Sequence, residues 1–182
     1  MTDICCIGHI TQDHIITPAL DYFAPGGTAY YFTMGINKLI ESSGISLSYQ
    51  LVTKEGRRHF FENRYSGDMN RREQRVLSVA DPFTMADLAD VEARYIVVGS
   101  LLADDFPIDV IRQLSEKGVM VLDAQGFLRE VRDRHVFAVD WVNKRETLRY
   151  VDVLKVNEYE MSVLTGSDDP RQSALILASW GV

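Results

Sequence analysis

The sequence predicts an α/β protein built on a doubly wound, mainly parallel sheet. Three observations lead there. Short, continuous apolar runs recur along the chain, as expected of strands buried on both faces. Segments of helical periodicity with readable ends lie between them. That alternation implies right-handed crossovers. The 182 residues, 46% hydrophobic and 25% charged, suffice for one domain with a substantial core.

The first expected strand is Ile4-Cys5-Cys6-Ile7, ending in Gly8. A helix over residues 27–40 then places Phe32, Gly35, Ile36, Leu39 and Ile40 on one side, with Gly44 just beyond it. Residues 14–23 and 45–80 read differently. Leu47-Ser48-Tyr49-Gln50-Leu51-Val52, Phe60-Phe61-Glu62-Asn63-Arg64-Tyr65 and Arg75-Val76-Leu77-Ser78-Val79 are β-rich but more polar. They are expected as antiparallel strands, forming either a small β flap over one end of the main sheet or an extension of its edge.

Tyr95-Ile96-Val97-Val98, ending in Gly99-Ser100, is the second core strand. Pro107 suits a first helical turn, Val110, Ile111 and Leu114 form its apolar stripe, and Gly118 stops that helix. Val119-Met120-Val121-Leu122 is the third strand and ends in Asp123. The fourth runs over 151–156, carries Asp152 and Lys155, and ends in Asn157. A helix from Glu158 to Leu164 stops before Gly166. Asp169-Pro170 then caps a last helix through Ala174, Leu177 and Ala178.

Charge and composition narrow the function classes. A net charge of −7 disfavours a nucleic-acid binder. The densest basic stretch, Arg71-Arg72-Glu73-Gln74-Arg75, reads as a solvated face, with phosphate contact as the alternative. No apolar run reaches the roughly 18 residues that cross a bilayer, so no membrane partner is expected. The N-terminus lacks the pattern of a signal peptide. Adjacent Cys5 and Cys6 point to opposite faces of a strand, which makes them poor disulfide partners, and no His/Cys cluster adjoins them for zinc. A reducing cytoplasm is the expected location.

Ligands of open parallel sheets bind beyond the carboxyl ends of the strands. Here those ends carry Gly8-His9, Gly99-Ser100, Asp123-Ala124-Gln125-Gly126 and Asn157-Glu158. Neither a P-loop nor a dinucleotide glycine motif is present. Pro25-Gly26-Gly27 before a helix lets backbone approach a ligand closely, or makes an ordinary turn. Asp13 can accept paired hydroxyl donors, or form a turn. His9 and His14 flank it as acid–base or structural histidines. Asn157 and Glu160 are spaced to cap a helix, or to meet phosphate and hydrated Mg²⁺. Lys155, late in a strand, needs an anion or a salt-bridge partner.

Taken in order, Gly8-His9-Ile10-Thr11-Gln12-Asp13, Pro25-Gly26-Gly27, Asp123-Ala124-Gln125-Gly126-Phe127-Leu128-Arg129 and Leu154-Lys155-Val156-Asn157-Glu158-Tyr159-Glu160 resemble the ribokinase-like (PfkB) carbohydrate kinase family. The resemblance spans nearly the whole chain. It implies transfer of the γ-phosphate of ATP, with Mg²⁺, to a hydroxyl of a sugar, polyol or nucleoside. It implies a β lid, through which a homodimer can form; were the chain instead a structural protein that dimerises through its flap, Phe60 or Phe61 would be expected at the contact. By the same resemblance, Asp13, Gly26 and Gly27 contact substrate hydroxyls. Lys155, Asn157 and Glu160 lie near the phosphates, with Glu160 holding Mg²⁺ through water.

Departures from the family pattern shape further expectations. Tyr31 stands where members often have a sugar-contacting Asn, and Tyr30 or Tyr31 could stack on a ring or face the core. The G-D-D-x-x-G stretch is reduced to Thr53-Lys54-Glu55-Gly56. No G-A-G-D-like turn occurs in residues 161–182, so the general-base Asp is expected beyond Val182 and the chain alone is expected to lack turnover. The flank of the strand ending at Asn157 is expected to be unpaired and prone to association. The alternative to a kinase is a non-catalytic sugar-binding or dimerisation module.

Overall fold

The structure, a computed structural model, describes residues 1–67 and 71–182. Five parallel strands form the main sheet: β1 (Thr2–Gly8), β4 (Tyr49–Val52), β7 (Ala93–Gly99), β8 (Val119–Asp123) and β11 (Val153–Lys155), in the order β11-β8-β7-β1-β4. The apolar runs account for this directly. Cys5 and Ile7, Ile96 and Val98, and Met120 and Leu122 share one buried core. Val110, Ile111 and Leu114 of α2 (Ile108–Ser115) pack into the same core. Cys6 projects to the opposite face by strand alternation and is equally buried. Both thiols are free, and burial pushes them up to about 11 and about 12, so they stay protonated at neutral pH.

A second sheet of six strands stands apart from the first. It comprises β2 (Thr11–Ile16), β3 (Asp21–Gly26), β5 (Phe60–Tyr65), β6 (Arg72–Ser78), β9 (Arg129–Arg132) and β10 (His135–Ala138), in the order β3-β2-β5-β6-β10-β9. Its pairs are antiparallel except β2 with β5. The expected spans are therefore corrected at two points. The 14–23 segment resolves into β2, a turn and β3, reaching from Thr11 to Gly26. Tyr49–Val52 belongs to the main sheet, parallel to β1, because Leu51 and Val52 pair with Cys6 and Ile7. Residues 68–70, inside the expected 45–80 span, lie outside the described residues.

The helices end where their caps dictate. Gly44 closes α1 (Thr28–Ser43) in the left-handed conformation, at φ 67°. Asp169 caps α5 (Pro170–Trp180), accepting from Gln172 N at 2.9 Å, with Pro170 in the first turn. Asn157 caps α4 (Glu158–Thr165), and Gly166 terminates it. A short α3 (Lys144–Thr147) precedes β11. The stripe expected on α1 is largely unburied. Only Ala29 and Ile36 are buried, Gly35 is exposed and Leu39 is half exposed. The helix rests on β1, β3 and β4 at one end of the main sheet, so a narrow line of contact suffices.

Phe61, expected at a dimer contact, packs instead inside the second sheet with Val76 and Leu101. Exposed apolar residues of that sheet include Tyr22 and Phe23 on the edge strand β3, Leu20 just before it, and Phe137 on β10. Among the described residues no helix is long and apolar enough to cross a membrane.

The join between the sheets relies on glycines. Gly8 and Gly99 are register partners, and a Cβ on Gly99 would lie 1.9 Å from Thr28 Cγ2. These glycines let the start of α1 lie against the strand ends. Gly27 adopts φ 89°, ψ 161°, a region open essentially to glycine alone. A Cβ there would also lie 2.3 Å from the His9 carbonyl oxygen. Gly27→Ala is expected to cost about 1–3 kcal/mol in backbone strain alone, before the clash is relieved. Chemical denaturation should read this as a lower midpoint, whereas Gly35→Ala, with open space around its Cβ, should hold or raise stability.

Candidate functional site

The carboxyl ends of β1, β7, β8 and β11 face one end of the second sheet, and the expected site residues gather there in two groups. At the first, β2 and β3 run antiparallel with Thr11 opposite Gly26 and Asp13 opposite Ala24. That register brings the Asp13 carboxylate against the paired glycines: a Cβ on Gly26 would lie 2.6 Å from Asp13 Oδ2. Asp13 is half-buried and accepts a 2.6 Å hydrogen bond from Thr11 Oγ1. Burial raises its pKa, opposed by the Thr11 hydrogen bond and the positive charge of Arg72.

Gly27 begins α1 without a side-chain cap, and no acidic residue occupies the first turn. The first amide N–H groups of the helix are therefore open to a ligand. Tyr31, one turn on, is 63% exposed, so it is not a core residue. Tyr30 is half-buried and meets it edge-on at 5.3 Å. Burial raises the Tyr31 phenol pKa, and the charge of Asp13 raises it further, so the phenol lies within electrostatic reach of that carboxylate.

The second group lies at the ends of β8 and β11. Lys155 and Asp123 are register partners, and Lys155 Nζ lies 3.1 and 3.2 Å from the two Asp123 oxygens. The anion that Lys155 needs is thus supplied by the neighbouring strand. Asn157 and Glu160 form a complete capping box. Asn157 Oδ1 accepts from Glu160 N at 2.7 Å, and Glu160 Oε2 accepts from Asn157 N at 2.9 Å. Glu160 is 5% exposed, and its other oxygen has no hydrogen-bond partner among the described residues.

Two arginines join these groups. Arg129 follows the 3₁₀ turn at the end of β8. With the Gln125 amide oxygen facing it, both terminal nitrogens of Arg129 donate to that oxygen, at 2.6 and 2.5 Å. Burial lowers the Arg129 pKa and the charge of Arg72 lowers it further, while Glu160 and Asp123 oppose them. Arg72, opening β6, thus acts on Asp13, Tyr31 and Arg129 together. Both arginines appear in the stretches singled out in the sequence, but no spacing there brings them together.

The two histidines beside Asp13 serve the framework. His14 Nε2 bonds to Asp21 Oδ1 at 2.6 Å and its ring stacks on Phe23, tying β2 to β3. His9 is buried with His59 and Asp105, whose ligand-type atoms lie within 4.8 Å of one another. Hydrogen bonding argues against a metal there. His59 Nδ1 accepts from Ala80 N at 3.1 Å, so Nε2 carries the proton and donates to Asp105 Oδ1 at 3.0 Å. Asp105 Oδ2 accepts from Leu101 N and Leu102 N at 2.7 and 3.0 Å. The cluster clamps the chain where β1 passes into β2, where β5 starts and where β6 ends.

Among the described residues His9 Nε2 has no hydrogen-bond partner, and it lies 3.9 Å from Asp105 Oδ1. Burial lowers the His9 pKa from 6.5 to about 4, with Asp105 opposing. A depressed histidine means that the unfolded chain binds the extra proton between those values. Stability is therefore expected to be full above pH 6.5 and to fall by up to about 3 kcal/mol as pH drops towards 4. Burial pushes Asp105 up, but the His59 hydrogen bond and the histidine charges outweigh it. Its net lowered pKa adds a further loss below the ordinary carboxylate value of 3.8. Denaturation midpoints from pH 5 to 8 should show the first slope, and His9→Gln should flatten it.

A cavity of about 1050 Å³ is lined by Arg129, Asp105, Phe106 and Trp141, with neither Asp13 nor the paired glycines in its wall. A second, of about 700 Å³, is lined by Arg64, Tyr65, Arg71 and Arg72 at the far end of the second sheet. The site at Asp13 is a groove between the sheets, defined by its polar groups.

Comparison with known proteins agrees with this arrangement of a doubly wound small-molecule kinase. No family model and no curated protein matches the sequence. A solved pyrophosphate-dependent kinase of the ribokinase family, in complex with sulfate, is 30% identical, with a TM-score of 0.78 over 98% of this chain and 70% of its own. A pyrophosphate-dependent kinase of that family with a pyrophosphate analog and myo-inositol is 29% identical, with a TM-score of 0.75 and the same coverage. A PfkB protein from Polaromonas sp. JS666, at 14% identity and a TM-score of 0.64 over 100% of this chain and 74% of its own, shares the fold. The chain belongs to the ribokinase family.

Proposed function

We propose that the chain binds a cyclic polyol of the inositol class at Asp13, Gly26 and Gly27, for transfer of a phosphoryl group to one of its hydroxyls. The observation that carries this reading is the half-buried Asp13 carboxylate set against the paired glycines and the uncapped start of α1. An ionised carboxylate accepts from two neighbouring hydroxyls at once. The free helical N–H groups donate to hydroxyl oxygens beside it. Tyr31 offers an amphipathic ring over the same groove, where a small polar side chain would leave it open. The relatives near 30% identity support the acceptor class, one of them holding myo-inositol.

The donor is ATP, as the family resemblance implies, or pyrophosphate, as in those relatives. Either presents a phosphoryl group to the ends of β8 and β11. Lys155 meets it as part of an ion pair with Asp123, and Asn157 through the start of α4. Mg²⁺ would neutralise charge on the phosphoryl oxygens when bound. Glu160 fits a water-mediated hold on that ion, since one oxygen is committed to the cap and the other is not. The second sheet serves as the lid, carrying Asp13 against the paired glycines. Residues 161–182 fold as the remainder of α4 and as α5. The chain's two free, buried cysteines suit a reducing cytoplasm.

Titration calorimetry tests the reading. The chain should take up myo-inositol at one site in the presence of Mg²⁺. Absence of heat with inositols, alongside saturable binding of a nucleoside, would replace the polyol class with the nucleoside one.

A further inference from the structure

We propose that the exposed face of α1 is a self-association surface, on which the same face of a second copy of this chain lies antiparallel across a two-fold axis. This surface is independent of the function proposed above. α1 lies at the β4 edge of the main sheet, opposite the edge formed by β11, and rests on β1, β3 and β4. Only Ala29 and Ile36 of its 16 residues are buried. Its outward side keeps large apolar groups in water. Met34 is 56% exposed, Leu39 is 50% exposed, and Ile45, just past the Gly44 cap, is 51% exposed. Single exposed apolar residues are ordinary, but several gathered along one helix mark a contact surface. Gly35, next to Met34, has open space where a Cβ would stand, so a second helix can approach the backbone there.

The charges name the occupant. α1 carries two, Lys38 and Glu41. Both are exposed, and among the described residues neither has an ion-pair partner. Lysine before glutamate is also the poorer order for a pair within one helix. Met34, Lys38 and Glu41 are spaced by four and three residues, so they share one strip of the helix, and Ile45 follows four residues on. Read in chain order, these residues are apolar, basic, acidic, apolar. Read in reverse, they are apolar, acidic, basic, apolar. An antiparallel second copy therefore sets Lys38 of one copy against Glu41 of the other, and a two-fold axis makes that contact twice. The same pairing turns Met34 of each copy towards the Ile45 end of the other. A parallel copy would instead set like charge against like. The strip is only roughly 17 Å long at 1.5 Å per residue, so the contact is small and the dimer weak and reversible.

Sedimentation velocity of the 182-residue chain is expected to show a reversible dimer, with a dissociation constant on the order of 10–100 μM that rises with salt. Lys38→Glu and Glu41→Lys, both at exposed positions, each turn the two ion pairs into repulsions. Each should weaken self-association about 10- to 30-fold. An equimolar mixture of the two variants should associate as the parent does, because each offers the charge that the other lacks. Combining both changes in one chain should restore the dimer as well. Met34→Ser should weaken it at low and high salt alike. A parent chain that stays monomeric up to about 0.5 mM would overturn the proposal. So would single variants that associate as the parent does, or a mixture of them that stays monomeric. A dimer lost in Phe23→Ser but kept in both charge variants would place the contact on β3 and equally overturn it.

Discussion

Asp13→Asn is expected to weaken polyol binding about 10- to 100-fold while leaving the fold intact. The substitution keeps the shape and one acceptor oxygen, but replaces the second oxygen with a donor that faces ligand hydroxyls and Gly26. It also removes the charge that makes both hydrogen bonds strong. The same argument gives a pH dependence. Burial raises the Asp13 pKa, so the ionised form is lost at a higher pH than for an ordinary carboxylate. Polyol affinity should therefore fall on acidification before exposed carboxylates titrate, and the Asn variant should lose that dependence. Calorimetry at pH 5 and 7.5 reads both. A variant that binds as well as the parent would remove Asp13 from the site.

Asp105→Ala is expected to have the largest effect on stability, about 3–5 kcal/mol. Asp105 is 2% exposed, and its carboxylate accepts from His59 and from the backbone of Leu101 and Leu102. Truncation strands three buried donors at once. Asp105→Asn should fall between, because its oxygen can still meet Leu101 and Leu102. Its NH₂ then faces His59 Nε2–H, donor against donor, and His59 cannot switch tautomer without losing the Ala80 hydrogen bond. Urea denaturation should rank the parent above Asn and Asn above Ala. Equal stability of all three would show that the cluster does not secure the junction between the sheets.

How much of this was readable in advance depended on the range of the contacts. β1, β7 and β8 follow from runs buried on both faces, and the caps at Asn157 and Asp169 follow from spacings of three residues. These are local features. Flap or sheet edge stayed open for Tyr49–Val52 because an edge strand of the main sheet has the same half-polar pattern as a strand of a flap; the strand extends the edge, but parallel to β1 rather than antiparallel. β9 and β10 went unrecognised because four-residue strands such as Arg129–Arg132 carry too little periodicity. His9 was open to an acid–base or a structural reading because its partners, His59 and Asp105, are remote in sequence. The sequence left Lys155 with either an anion or a salt-bridge partner to find, and the register supplies Asp123 as that partner. Asp13 and the glycines were legible as a pair because β2 and β3 form one local hairpin.

The most direct measurement is backbone hydrogen exchange of the chain with and without saturating myo-inositol. The account predicts added protection at the amides of residues 27–31 and along residues 11–16, absent in Asp13→Asn. Protection confined to other segments, with those amides exchanging as before, would contradict it.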